Sequence, residues 1–277
     1  MKIVHMIDDY RLLCREAQQV GNFEAYKAYT EKYPYFFPGV FRDLYRQPLE
    51  FWQEMIQQID LAALLQAAEE NYASDMVNYT IACVQRFMDK MKVDFDFTLL
   101  LGVELGNIGG CASPADWDEP CLYIGIDRPL EKEQIDLLVT HELCHLMRSH
   151  FVRDIEQETV FSRTIEEGLA SYASLWEHDL DWNLMNVAKT LAVSEVQADN
   201  LLKATDTLLE KLALDGDQPL SFETMKAYFT ADSGEAEYPV IGYYVGLHLA
   251  HQSVEKGVPF EKMVTMPRQE LIRLWFR

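Results

Sequence analysis

Apolar residues recur three and four positions apart through FWQEMIQQIDLAALLQAAEE (51–70) and MVNYTIACVQRFMDKM (76–91), with few glycines between them. This spacing predicts helix over most of residues 1–95. The segment YPYFFPGVF (33–41), with two prolines and a glycine, predicts a break whose aromatics pack into the core. The texture then changes. VDFDFTLLLGVEL (93–105) and CLYIGID (121–127) read as strands, separated by the Gly-, Pro- and Asp-rich loop GNIGGCASPADWDEP. Gly106, Gly109 and Gly110 make no phosphate loop, because no GK[ST] follows them; they serve turn geometry.

Beyond Asp127 the helical period returns. Asp127 is expected to cap a helix near Pro129, with Glu131 and Glu133 at its positive end, running through QIDLLVTHELCHLMRSHF. A second helix is expected in SRTIEEGLASYASLWEHDL. The remainder is mostly helical, punctuated by LDGDQP, ADSGEAEYP and KGVPF. The fold class is therefore α+β, mostly helical, with a small mixed sheet. Three regions are expected: helical residues 1–92, a core at 93–180, and a helical region at 181–277 that completes the site.

The core region carries chemistry. His141-Glu142-Leu143-Cys144-His145 is an HExxH sequence. At about 100° per residue, positions i and i+4 share a helix face, so both imidazoles can reach one metal ion. Zinc accepts neutral imidazole nitrogen, and Glu142 beside it is placed to act as general base toward water. Leu138, Val139, Leu143, Leu146 and Met147 surround the motif, so it is expected to be buried. A catalytic zinc needs a third protein ligand. His150, nine residues after His141, falls on the opposite side of a continuous helix, and Arg148 stands where a chain-turning glycine would have to be. A glutamate from the following helix, Glu166 or Glu167, is the remaining route.

HELCH followed after 21 residues by EGLASY resembles the gluzincin pattern, in which HExxH precedes an EG[FL]A segment. The resemblance implies a zincin-like fold with the sheet beside the HExxH helix, Zn2+ as cofactor, and a peptide or protein substrate. It makes Glu167, directly before the glycine, the third ligand with His141 and His145, and Glu142 the catalytic base. Glu166 stays as the neighbouring alternative. Ala170 and Ser171 share the Glu167 face, with Ala173 and Ser174 nearby, and allow close approach of the two helices. The segment from Tyr238 to His248 contains GYYVG and resembles the GYxxG element of bacterial predicted Zn-dependent proteases filed as a domain of unknown function. By that likeness Tyr243 is the expected oxyanion donor, with Tyr238 and His248 behind it. His178 and His251 read as surface or capping residues. The GxMEN element of aminopeptidases is absent from GCASPADWDEP, so endopeptidase action is expected. One of the two predicted strands is expected to pair with the substrate.

Composition narrows the partners. With 24 basic and 45 acidic residues the net charge is −21, which disfavours nucleic acid and anionic lipid. No run is long and apolar enough for a membrane helix, and the N-terminus lacks a signal-like apolar core, so a cytoplasmic protein is expected. The five scattered cysteines read as reduced thiols, though Cys111 and Cys121 could approach across a loop. Two other functions remain open. One is a non-catalytic zinc-stabilised module, with Cys144 or Glu166 as fourth ligand. The other is hydrolysis of a non-peptide amide or ester by the same residues.

Overall fold

A computed structural model of the protein describes residues 1–114, 117–152, 158–230 and 238–276. The chain is mostly helical with one small mixed sheet. It divides into two compact units, residues 1–146 and 147–277, with the boundary inside one long helix. Among the described residues no helix is long and apolar enough to cross a membrane. The ADSGEAEYP segment falls at 231–239, of which 231–237 lie outside the described residues.

The first unit runs β1 (Lys2–His5), α1 (Ile7–Val20), α2 (Asn22–Thr30), α3 (Leu61–Ala73), α4 (Met76–Met91), β2 (Thr98–Gly102), β3 (Gly110–Ala112) and β4 (Cys121–Gly125). It then enters α5 (Lys132–Phe151). The sheet order is β1-β2-β4-β3, with β1, β2 and β4 parallel and β3 antiparallel to β4. Every residue of β2 and β4 is buried, which is why TLLLG and CLYIG read as continuous apolar runs.

Residues 2–5 correct the expectation of helix at the N-terminus. They form an edge strand, held by parallel pairing from Lys2 opposite Thr98 to His5 opposite Leu101. In α4 the buried positions Met76, Val77, Thr80, Cys83, Val84, Phe87 and Met91 make one stripe, as the helical period requires. The YPYFFPGVF break forms short helical turns over 37–58, and its aromatics are core: Phe36 stacks on Tyr123 of β4 with ring centroids 5.0 Å apart. All five cysteines are free thiols.

The start of α5 also differs from expectation. The helix begins at Lys132, so Asp127, five residues earlier and 6% exposed, does not cap it. The amide of Glu131 instead donates to Gln134 Oε1 at 2.9 Å. Ile135, Val139, Leu143, Leu146 and Met147 are buried and recur at helical spacing along α5.

The second unit takes the last turn of α5 and continues with α6 (Val160–Glu177), α7 (Leu184–Thr190), α8 (Glu195–Lys203), α9 (Thr205–Asp215), α10 (Phe222–Phe229), α11 (Ile241–Glu255), α12 (Phe260–Val264) and α13 (Arg268–Phe276). A reciprocal cap between Thr159 and Ser162 starts α6. This helix is buried on nearly all sides and crosses α11 at two glycines. A Cβ on Gly168 would lie 2.3 Å from the Gly246 backbone, and one on Gly246 would lie 2.2 Å from the Thr164 carbonyl oxygen. The backbones touch there, which only glycine permits. The glycines of EGLA and GYYVG are thus partners in one crossing.

Candidate metal centre

The HExxH residues occupy the middle of α5. His141, Glu142 and His145 are half-buried, while Leu143 and Cys144 between them are fully buried. The motif is therefore less enclosed than its apolar flanks suggest, because its own helix face is the one that opens. The two imidazoles meet edge to face, and their Nε2 atoms lie 3.1 Å apart. Two nitrogens on a tetrahedral zinc with bonds near 2.05 Å would be about 3.3 Å apart. The pair is thus already spaced as the edge of such a tetrahedron.

Glu142 lies against the edge strand. Its Cγ would be 3.0 Å from a Cβ at Gly110, the first residue of β3, so glycine there leaves the carboxylate its place. Cys111, next in β3, is buried, and its thiol is pushed well above the ordinary range by burial first and the Glu142 charge second. The other edge of β3 carries no strand among the described residues, whereas β2 and β4 each have neighbours on both sides. This corrects the expectation that the segment at 93–105 or 121–127 offers an edge for substrate pairing. In the part of the sheet beside Glu142, the open edge belongs to β3.

Within the second unit, the last turn of α5 is tied to α6. Arg148 is 1% exposed, and its Nε and Nη2 reach the two carboxylate oxygens of Glu166 at 2.9 and 3.0 Å. Its Nη1 donates to the carbonyl oxygens of Met263, Val264 and Met266 at 3.2, 3.1 and 3.4 Å, satisfying the end of α12. At 100° per residue, His141, His145 and Arg148 fall within about 60° on one face of α5. Arg148 itself, within the second unit, engages Glu166, one residue from Glu167.

The neighbours Glu166 and Glu167 are thereby separated. Glu166 is engaged by Arg148. Glu167 is 2% exposed, and its Oε1 is met at 3.0 Å by Nη2 of Arg163, one turn earlier in α6. Among the described residues, His141, His145 and Glu167 are one of two sets of side chains that could hold a metal ion. Two imidazoles and one carboxylate suit zinc. The other set is Cys83, Asp136 and Glu177; there Asp136 already carries the Arg86 guanidinium at 2.6 Å and the Tyr79 hydroxyl at 2.8 Å.

Tyr243 stands near the start of α11, half-buried, with its ring 6.0 Å from Phe229 and within electrostatic reach of Arg163. Three residues before Gly246, it lies on the side of α11 that crosses α6. Val240, just ahead of the helix, is held at φ 47° and ψ 42°, a left-handed conformation costly for a β-branched residue. The strain is placed where the chain enters the helix bearing Tyr243. Tyr238 precedes it and is half-buried.

His248 points elsewhere. It stacks on Tyr244 and meets Gln252 at 2.8 Å, and burial, then His251, lowers its pKa. His251 stacks flat on Trp182 with centroids 4.4 Å apart, while His178 ends α6 beside Glu177. His150 lies in the last turn of α5 with its ring against Phe151.

Sequence reasoning missed Arg148 and Arg163 as parts of the site. Their signal was spacing: Arg148 is seven residues after His141, and Arg163 is four before Glu167. No curated protein and no solved structure matches the chain. A family profile matches residues 101–273, which spans β3, the HExxH helix, α6 and α11. On that match the chain belongs to the family described as "Predicted Zn-dependent protease (DUF2268)".

Proposed function

We propose that this protein is a zinc endopeptidase of the gluzincin type, with His141, His145 and Glu167 as ligands, Glu142 as general base and Tyr243 as oxyanion donor. The observation that carries the reading is the 3.1 Å approach of the two imidazole Nε2 atoms. The family description supports the metal and the class of reaction. When bound, zinc supplies Lewis acidity and makes water a nucleophile near neutral pH.

The chain's own groups do the rest. His141 and His145 give neutral nitrogens, and Glu167, oriented by Arg163, gives a carboxylate oxygen. Glu142 takes a proton from the attacking water and delivers it to the leaving amine nitrogen. The Tyr243 hydroxyl donates to the carbonyl oxygen as negative charge develops on it. An extended peptide lies along the open edge of β3, with its backbone paired to residues 110–112 beside Glu142.

A closed structural site would need a fourth protein ligand. Neither earlier candidate suits that role: Glu166 is held by Arg148, and Cys144 is fully buried. The test is metal analysis of the purified protein together with cleavage of a peptide library. Glu142→Gln should retain zinc and lose activity by about 10²–10⁴-fold. Cleavage at the unaltered rate in that variant would end the proposal.

A further inference from the structure

At the carboxyl ends of the parallel strands the first unit buries a second set of oxygen atoms. In the register of β2 and β4, Gly102 pairs with Gly125. Two residues beyond each glycine stand Glu104 and Asp127, and Tyr10 follows β1 in the first turns of α1. Glu104 and Tyr10 are 0% exposed and Asp127 is 6% exposed. In open sheets of this kind, the carboxyl ends of parallel strands are where ligands collect.

The hydrogen bonding of these groups is incomplete. Glu104 Oε1 accepts from the Tyr45 hydroxyl at 2.8 Å and from the Tyr26 hydroxyl at 3.2 Å. Glu104 Oε2, both Asp127 oxygens, the Tyr10 hydroxyl and Trp52 Nε1 have no hydrogen-bond partner among the described residues. The backbone amides of Gly106 and Asp127 favour the charged form of Asp127, and that of Leu105 favours the charged form of Glu104, while burial opposes both. The nearest cation, Arg128, donates to the Gly106 carbonyl at 3.1 Å and acts on Asp127 only through space. Both carboxylates act electrostatically on Tyr10, yet its hydroxyl bonds to neither.

We propose that Glu104, Asp127 and Tyr10 form a binding site for a hard divalent cation of the calcium or magnesium class, separate from the HExxH centre. The donors are all oxygens, which suits those ions and not a soft metal. Two carboxylates match the charge of one such ion, and burial makes their unscreened negative charge costly without it. Water completes the coordination shell, in a cluster whose Tyr45 ring lies 5.2 Å from that of Trp52. A proton shared between the carboxylates would neutralise only one of them.

The test uses the whole protein, loaded with zinc and freed of other metals by dialysis. Calcium and magnesium are titrated in separate arms up to about 10 mM, above the range of millimolar sites. A hundredfold excess over Kd should raise the thermal midpoint by roughly 5–10 °C. Terbium should give luminescence when the protein's aromatics are excited. That signal should fall in Trp52→Phe, while the calcium response stays. The double variant Glu104→Gln, Asp127→Asn should lose the calcium response. Tyr10→Phe, which keeps both carboxylates, should weaken it and serves where the double variant does not fold. His145→Ala should respond to calcium as the unaltered protein does. The proposal is overturned by a midpoint indifferent to both cations, or by an equal response in the carboxylate variants. A response abolished by His145→Ala would overturn it too.

Discussion

Arg148 and Glu166 form a two-pronged ion pair, at 2.9 and 3.0 Å, between the end of the HExxH helix and the helix that carries Glu167. Arg148 was unremarked in the sequence beyond standing where another protease type has a glycine. Within the second unit it fastens the last turn of α5 to α6.

Removing that fastening takes the Arg148 guanidinium from Glu166 and one donor from each of three carbonyls. Arg148→Ala should therefore destabilise the protein by roughly 3–5 kcal/mol, as expected for breaking a buried pair. Arg148→Lys should recover only part of the loss, because an ammonium cannot engage both oxygens in the same fork. Urea denaturation monitored by circular dichroism measures this. A loss below about 1 kcal/mol in Arg148→Ala would place the pair among ordinary surface bridges.

In the proposed ligand set, Arg163 orients Glu167 through their 3.0 Å contact. Arg163→Ala should lower zinc affinity by about 10–100-fold, since a group that orients a ligand contributes that much. Glu142→Gln should not lower it. Competition against a chromophoric chelator separates the two variants. Equal affinities in Arg163→Ala and the unaltered protein would show that Glu167 needs no such support.

Tyr243→Phe keeps the ring against Phe229 and removes only the hydroxyl. With the peptide held at β3, kcat should fall by about 10²–10³-fold while KM changes little. His248→Gln, on another side of α11, should leave kcat near its original value. The reverse pattern would move the oxyanion donor from Tyr243 to His248.

Glu104 gives a stability prediction with a definite sign. Burial pushes its pKa up to about 7 from an ordinary 4.5. The folded state holds a proton that the unfolded state releases, so this contribution is fully present below about pH 4.5 and is lost as pH rises through about 7. Without divalent cations, the stability gain of Glu104→Gln over the unaltered protein should grow across that window, by on the order of 3 kcal/mol. Denaturation curves at pH 5 and pH 8 measure it. A constant difference between the two proteins would mean that Glu104 does not titrate there.

Much of the fold was legible because the helices carry long periodic stripes and β2 and β4 are continuous apolar runs. HExxH announced itself by side-chain type and spacing, and EGLA by likeness. The first strand was not legible: it is four residues long, lies at a sheet edge and exposes most of its side chains, so it has neither alternation nor an apolar run. Asp127 looked like a cap because its neighbours in sequence favour one. Its position is set instead by the pairing of β4 with β2, which no local pattern reveals. The role of β3 was hidden for the same reason, since only the strand order shows which edge is open. Arg148 and Arg163 have helical spacing to the motif residues, but spacing alone does not tell an ion pair from a solvated charge.

The contact between Gly168 and Gly246 limits how this protein can adjust. With no side chain at the point of crossing, α6 and α11 have no cushion to compress and no room to draw nearer. A change in the separation between Glu167 and Tyr243 must come from rotation or sliding about that pivot. Selection for a wider or narrower gap would then act on the residues flanking the pivot, leaving the two glycines where they are.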